Sequence, residues 1–139
     1  MNYFAYGSNM AVDQMADRCP GAIVLGRGAI RGFAFRINRY GVATIVPPNG
    51  TVHGMLWDIT PEHEADLDDY EGVRESLYSK AQFRVLRPDR TAVEALVYVA
   101  ANSQAGRPRP RYLGPIIRAA RDHGLPPYYV AELERWQAS

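Results

Sequence analysis

The sequence predicts an α+β fold: a small, mostly antiparallel β-barrel with an inserted helix and C-terminal helices. Three observations carry this. Between residues 22 and 59, short β-branched and aromatic runs are cut by Gly and Pro. One acidic helical stretch, 60–72, interrupts the strands. Beyond residue 111 the pattern turns helical to the end. One domain covering 1–139 is expected, because the length suits a single core and no interdomain linker, repeat or low-complexity stretch divides the chain.

Asn2 to Tyr6 is short, apolar and aromatic, and reads as a strand ending in the turn-forming Gly7-Ser8-Asn9. Residues 10, 12, 15 and 16 give Met10 to Arg18 a helical pattern, stopped by Pro20-Gly21. Strand-length runs follow at Ile23-Val24-Leu25, Phe33 to Ile37, Val42 to Val46 and Val52 to Ile59. The third and fourth are separated by Pro47-Pro48-Asn49-Gly50, a strong turn signal. Thr60-Pro61-Glu62-His63-Glu64 starts a helix: Thr caps, Pro suits the first position, and acids meet the positive dipole end. Gly72 stops it. Leu77 to Leu86 and Ala92 to Ala101 read as two strands joined by Arg87-Pro88-Asp89-Arg90, the second buried on both faces or nearly so. Tyr112 to His123, stopped by Gly124, and Pro126 to Trp136 read as helices.

Composition excludes several classes. A lone cysteine, Cys19, rules out an intramolecular disulfide scaffold. No run of 18 apolar residues and no signal-peptide pattern is visible, so a cytoplasmic location is expected. Net charge +1 gives no electrostatic reason to bind nucleic acid or a membrane. Fifteen of the 16 basic residues are Arg. The densest cluster, Arg107-Pro108-Arg109-Pro110-Arg111, reads first as a stiff extended linker and second as a patch for an acidic partner.

Two segments carry candidate chemistry. A Gly7-Ser8-Asn9 turn ahead of a helix presents backbone N–H groups that can cradle an anion or a carbonyl oxygen, or simply cap the helix. In Asp66-Leu67-Asp68-Asp69-Tyr70-Glu71-Gly72, the aspartates read as a solvated helix face. Glu71 sits at the negative end of the dipole with carboxylates nearby. Both effects raise its pKa toward the range of a general base. His53, His63 and His123 lack metal-ligand spacing, and neither HExxH, CxxC nor GxSxG occurs, so no metal and no activated Ser or Cys is expected.

Together these segments resemble the γ-glutamylcyclotransferase family, of the AIG2-like, cyclotransferase-like superfamily. Tyr3-Phe4-Ala5-Tyr6-Gly7-Ser8-Asn9-Met10 is similar to its N-terminal signature. Gly41 to Ile45 followed by Val52 to Trp57 resembles its "ATI … GxxW" strands. Asp68 to Val73, with Tyr78 seven residues after Glu71, resembles its catalytic segment. Pro110-Arg111-Tyr112 through Gly124-Leu125-Pro126 and Tyr129 resembles its C-terminal helices.

The resemblance implies the small cyclotransferase barrel and an enzyme needing neither cofactor nor metal. It implies Glu71 as catalytic acid/base and Tyr3, Phe4, Ala5, Tyr6, Gly7, Ser8 and Asn9 as the substrate-binding segment, with Tyr112 contacting the substrate and Tyr78 lining the pocket. Members act on γ-glutamyl amino acids, γ-glutamylamines, glutathione or a protected antibiotic precursor. The Gly-Ser-Asn-Met form is nearer the amino acid branch. The expected partner is a small γ-glutamyl substrate, the expected product 5-oxoproline, and the expected assembly a monomer or homodimer. The rival expectation is a catalytically silent small-ligand or protein-binding module on the same fold.

Overall fold

The chain is described by a computed structural model covering residues 1–138; Ser139, the last residue of the expected domain, lies outside the described residues. The strands are β1 (Asn2–Ala5), β2 (Ile23–Arg31), β3 (Ala34–Ile37), β4 (Ala43–Val46), β5 (Thr51–Asp58), β6 (Tyr78–Leu86) and β7 (Ala92–Ala100). The α-helices are α1 (Val12–Arg18), α2 (Pro61–Glu71), α3 (Leu113–Asp122) and α4 (Pro127–Ala138). A 3-10 turn, Ser8–Met10, joins β1 to α1.

Strands β1, β5, β2, β6 and β7 close into a barrel in that order. The pairings are antiparallel except for β1 with β7, which run parallel where Tyr3 faces Leu96. Closure leaves the short β1 paired on both sides, with Phe4 wholly buried. Its ring packs against Gly54, where an added Cβ would lie 2.9 Å from Phe4 Cζ and 2.2 Å from the Ala5 carbonyl oxygen. Only glycine permits that approach of β5 to β1.

β3 and β4 form a separate hairpin. Thr44 Oγ1 accepts from the Ala100 N–H and fastens that hairpin to the end of β7. Buried Asn38 shapes its turn: Oδ1 accepts from the Tyr40 and Val42 N–H groups, and Nδ2 donates to the Asn102 carbonyl. The segment read as a stiff linker, Arg107 to Arg111, is pinned to this hairpin by the Arg109 N–H on the Gly41 carbonyl, and Gly106 just before it donates to the Ile37 carbonyl. The helix α3 buries Leu113, Ile116, Ile117 and Ala120, and α4 buries Tyr129, Val130 and Leu133. No helix among the described residues is long and apolar enough to cross a membrane.

The run Ile23-Val24-Leu25 departs from its expected length. It continues to Arg31 through two glycines, with a register shift between Val24 and Gly26. Its first three side chains are exposed, so β branching there does not mark a buried strand. Gly28 lies under Val85, whose Cγ1 would be 2.5 Å from an added Cβ.

Candidate active site

Every residue proposed for the site from sequence lines one cavity of about 810 Å³. Three parts of the fold deliver them. β1 and the 3-10 turn bring Tyr3 through Asn9, the end of α2 brings Glu71, and the start of β6 and the entry to α3 bring Tyr78 and Tyr112.

Glu71 is placed by the two ends of its helix. Thr60 and His63 cap the start reciprocally, with Thr60 Oγ1 accepting from the His63 N–H and His63 Nδ1 accepting from the Thr60 N–H. His63 Nε2 also bonds the Pro20 carbonyl at 2.6 Å, tying α2 to the end of α1. At the other end Gly72 adopts φ 69°, and the Val73 N–H returns to the Asp68 carbonyl. That left-handed stop suits glycine.

Among the described residues the Glu71 carboxyl has no hydrogen-bond or ion-pair partner, and its pKa is pushed up to about 7. Burial is the main cause, opposed by the Arg18 charge. This corrects the cause inferred from sequence. No neighbouring aspartate raises it; the cavity walls do so by removing water from the carboxylate. The aspartates divide as well. Asp66 and Asp69 are exposed, as expected, but Asp68 accepts from Tyr98 Oη at 2.7 Å and pairs with Lys80 at 3.0 Å. It buttresses α2 against β6 and β7.

The Ser8 and Asn9 N–H groups open the 3-10 turn, so they lack acceptors within it. The Met10 and Ala11 N–H groups close it on the Gly7 and Ser8 carbonyls. Arg18, which the sequence reading passed over, braces the turn from behind. Its Nη1 donates to Ser8 Oγ at 3.1 Å and to Asn9 Oδ1 at 2.5 Å, and its Nη2 to the Tyr70 hydroxyl. Its guanidinium carbon lies 3.3 Å from the Tyr70 ring centroid. Asn9, itself buried, donates to Tyr3 Oη. The link from Arg18 to Asn9 spans one turn and one helix, a spacing with no sequence signature.

The tyrosines form the wall. Tyr6 Oη donates to the Tyr98 carbonyl at 2.5 Å. Tyr78 and Tyr112 bracket one residue of the hairpin: Tyr78 Oη donates to the Ala43 carbonyl at 2.6 Å, and Tyr112 Oη accepts from the Ala43 N–H at 2.8 Å. Burial raises the pKa of all three hydroxyls, that of Tyr112 to about 12, so they stay protonated at neutral pH. No group of three or more His, Cys, Asp or Glu able to hold a metal ion occurs among the described residues.

A carboxyl with a pKa of about 7, turn N–H groups without acceptors in the turn and fixed phenols can exchange a proton with a bound group and hold an anionic oxygen. A family model described as "AIG2-like family" matches residues 51–133. The chain is 27% identical to "Gamma-glutamylcyclotransferase" of Mus musculus, over 95% of this chain and 76% of the relative. It is 28% identical to the Homo sapiens protein of that name, with the same shares. A solved structure titled "Gamma-glutamyl cyclotransferase" superposes with a TM-score of 0.89 at 26% identity, covering 96% of this chain and 86% of that one.

Proposed function

The chain belongs to the AIG2-like family, and from that premise we propose that it cyclises a γ-glutamyl amino acid, or a related γ-glutamyl amide, to 5-oxoproline and a free amine. Family and fold support an enzyme of the γ-glutamylcyclotransferase type. The observation that carries the finer reading is Glu71, a carboxyl inside the cavity, without a protein partner among the described residues and with a pKa near neutrality.

Glu71 takes one proton from the substrate α-ammonium. The freed nitrogen lone pair attacks the γ-carbonyl carbon and closes a five-membered ring. As the amide C–N bond breaks, Glu71 passes that proton to the leaving nitrogen and then carries the ring nitrogen's second proton the same way, so that a lactam N–H and a free ammonium result. No water or redox partner is consumed. The nucleophile is part of the substrate, so proximity is largely built in, and the enzyme's task is to fold the chain and manage protons. The Ser8 and Asn9 N–H groups receive an anionic oxygen of the glutamyl part. Tyr78 and Tyr112 hold the wall against which the chain folds.

The test is 5-oxoproline release across a panel of γ-glutamyl compounds by wild type and Glu71→Gln. Gln keeps size and polarity but cannot take the proton. Turnover is expected to fall by roughly two or more orders of magnitude, the usual range for a lost general base. Near wild-type turnover in the variant overturns the role given to Glu71.

A further inference from the structure

Two arginines stand by the site, and the fold uses them differently. The Arg18 guanidinium is engaged by Ser8, Asn9 and Tyr70 and does not line the cavity. Arg109 does line it, and the lining holds one other charged side chain, Glu71. The Arg109 stem is fixed three ways. Its N–H donates to the Gly41 carbonyl at 3.1 Å, and its Nε to the Tyr40 carbonyl at 2.9 Å. Its Cγ lies where Gly41, at φ +81°, has no side chain; an added Cβ would be 2.7 Å away. What remains is the outer edge of the guanidinium. Nη1 and Nη2 have no acceptor among the described residues, and no carboxylate there pairs with Arg109. The hydroxyls of Tyr78 and Tyr112 feel both charges of the cavity, Glu71 and Arg109.

A γ-glutamyl amino acid brings one ammonium and two carboxylates. The glutamyl head meets Glu71 and the turn N–H groups. The second carboxylate, on the amino acid that leaves, has no partner among those groups. A held guanidinium with two free nitrogens on one edge matches a carboxylate in a planar, two-bond geometry. We propose that Arg109 is the specificity-determining residue of this site, binding through Nη1 and Nη2 the carboxylate of the leaving amino acid. The inference rests on the cyclotransferase reading. Arg109 moves no proton; it selects γ-glutamyl amino acids over γ-glutamylamines, which leave the guanidinium unpaired.

The test compares γ-glutamylalanine with γ-glutamylethylamine, which differ by that one carboxylate. Wild-type kcat/KM is expected to favour γ-glutamylalanine by about ten- to hundredfold, the range of a charge-assisted pair. In Arg109→Gln the ratio of the two kcat/KM values falls toward one, and the loss appears in the KM for γ-glutamylalanine rather than in kcat. Arg109→Lys, which keeps the charge without the fork, retains part of the preference. A wild-type ratio near one overturns the proposal without any variant. So does an Arg109→Gln protein that loses the same factor on both compounds, because that places Arg109 on the shared glutamyl head. If neither compound yields 5-oxoproline with the wild type, the cyclotransferase reading itself fails and this inference falls with it. Turnover of both without discrimination sinks the inference alone.

Discussion

Burial in the cavity sets the pKa of the Glu71 carboxyl. An acid beside a helix-stopping glycine is visible in the sequence; the cavity that dries it is not, because its walls come from β1, β4, β6 and the entry to α3. The cause decides the pH behaviour. With a pKa of about 7, Glu71 is half ionised near neutrality, and only the ionised form can take the ammonium proton. Thus kcat/KM should rise with pH through about 7 and then level. Stability has the opposite sign. The folded pKa lies above the unfolded value of 4.5, so the unfolded chain binds fewer protons between the two, and stability falls as pH rises from 4.5 to about 7. Glu71→Gln removes that loss, and its melting temperature should gain on wild type across this window and hold the gain above it. Arg18 supplies a second readout. Its charge lowers the Glu71 pKa, so Arg18→Met should move the acidic limb of the rate profile to higher pH. A lower rate with an unmoved limb would mean that Arg18 only braces the turn.

Elements whose ends are set by local chemistry were legible; those set by a partner were not. The helix α2 starts at Pro61 and stops before Gly72, as Thr60, Pro61 and Gly72 foretold. The extent of β2 was not foreseen, because Gly26 and Gly28 read as breakers until β5 and β6 lie beside them. Nor does any pattern within residues 34–46 say that β3 and β4 pair outside the barrel. Gly72 joins the element to the site. Its φ of 69° disfavours a side chain, and an added Cβ would lie 2.8 Å from Leu77 Cδ1. The Gly72→Ala protein should therefore lose roughly 1–2 kcal/mol, the cost of a left-handed non-glycine residue. Because the strained turn directly follows Glu71, kcat should fall too. Chemical denaturation and steady-state kinetics on one preparation check both; an unchanged midpoint would show that the turn relaxes freely.

The whole molecule contributes what no segment holds alone: one cavity where residues 3–9, 71, 78, 109 and 112 meet. The barrel closure that draws β1 between β5 and β7 puts Tyr3 across from Trp57 and Leu96, and so sets the Gly7–Asn9 turn at the barrel's mouth. Sequence alone marked the blocks but not the register that brings them together, and Arg109 was read within a linker because its hairpin contact joins residues far apart in the chain. Such an enclosed site makes a demand on the substrate. In the proposed cyclisation the attacking nitrogen is the substrate's own α-amine, and its lone pair must point at the γ-carbonyl. Acetylation delocalises that lone pair and adds bulk beside Tyr6, Tyr78 and Tyr112, whose hydroxyls are fixed on backbone groups and cannot swing aside freely. An N-acetyl-γ-glutamyl amide should therefore give no product. A hydrolase in the same cavity would behave otherwise. It would use water on the γ-carbonyl, release N-acetylglutamate from the acetylated compound, and release glutamate from the free amine. Mass spectrometry of the initial product separates the two, since glutamate and 5-oxoproline differ by one water. Finding glutamate first would overturn the cyclisation even if Glu71 proved essential, because a carboxylate of raised pKa can activate water as readily as it can an amine.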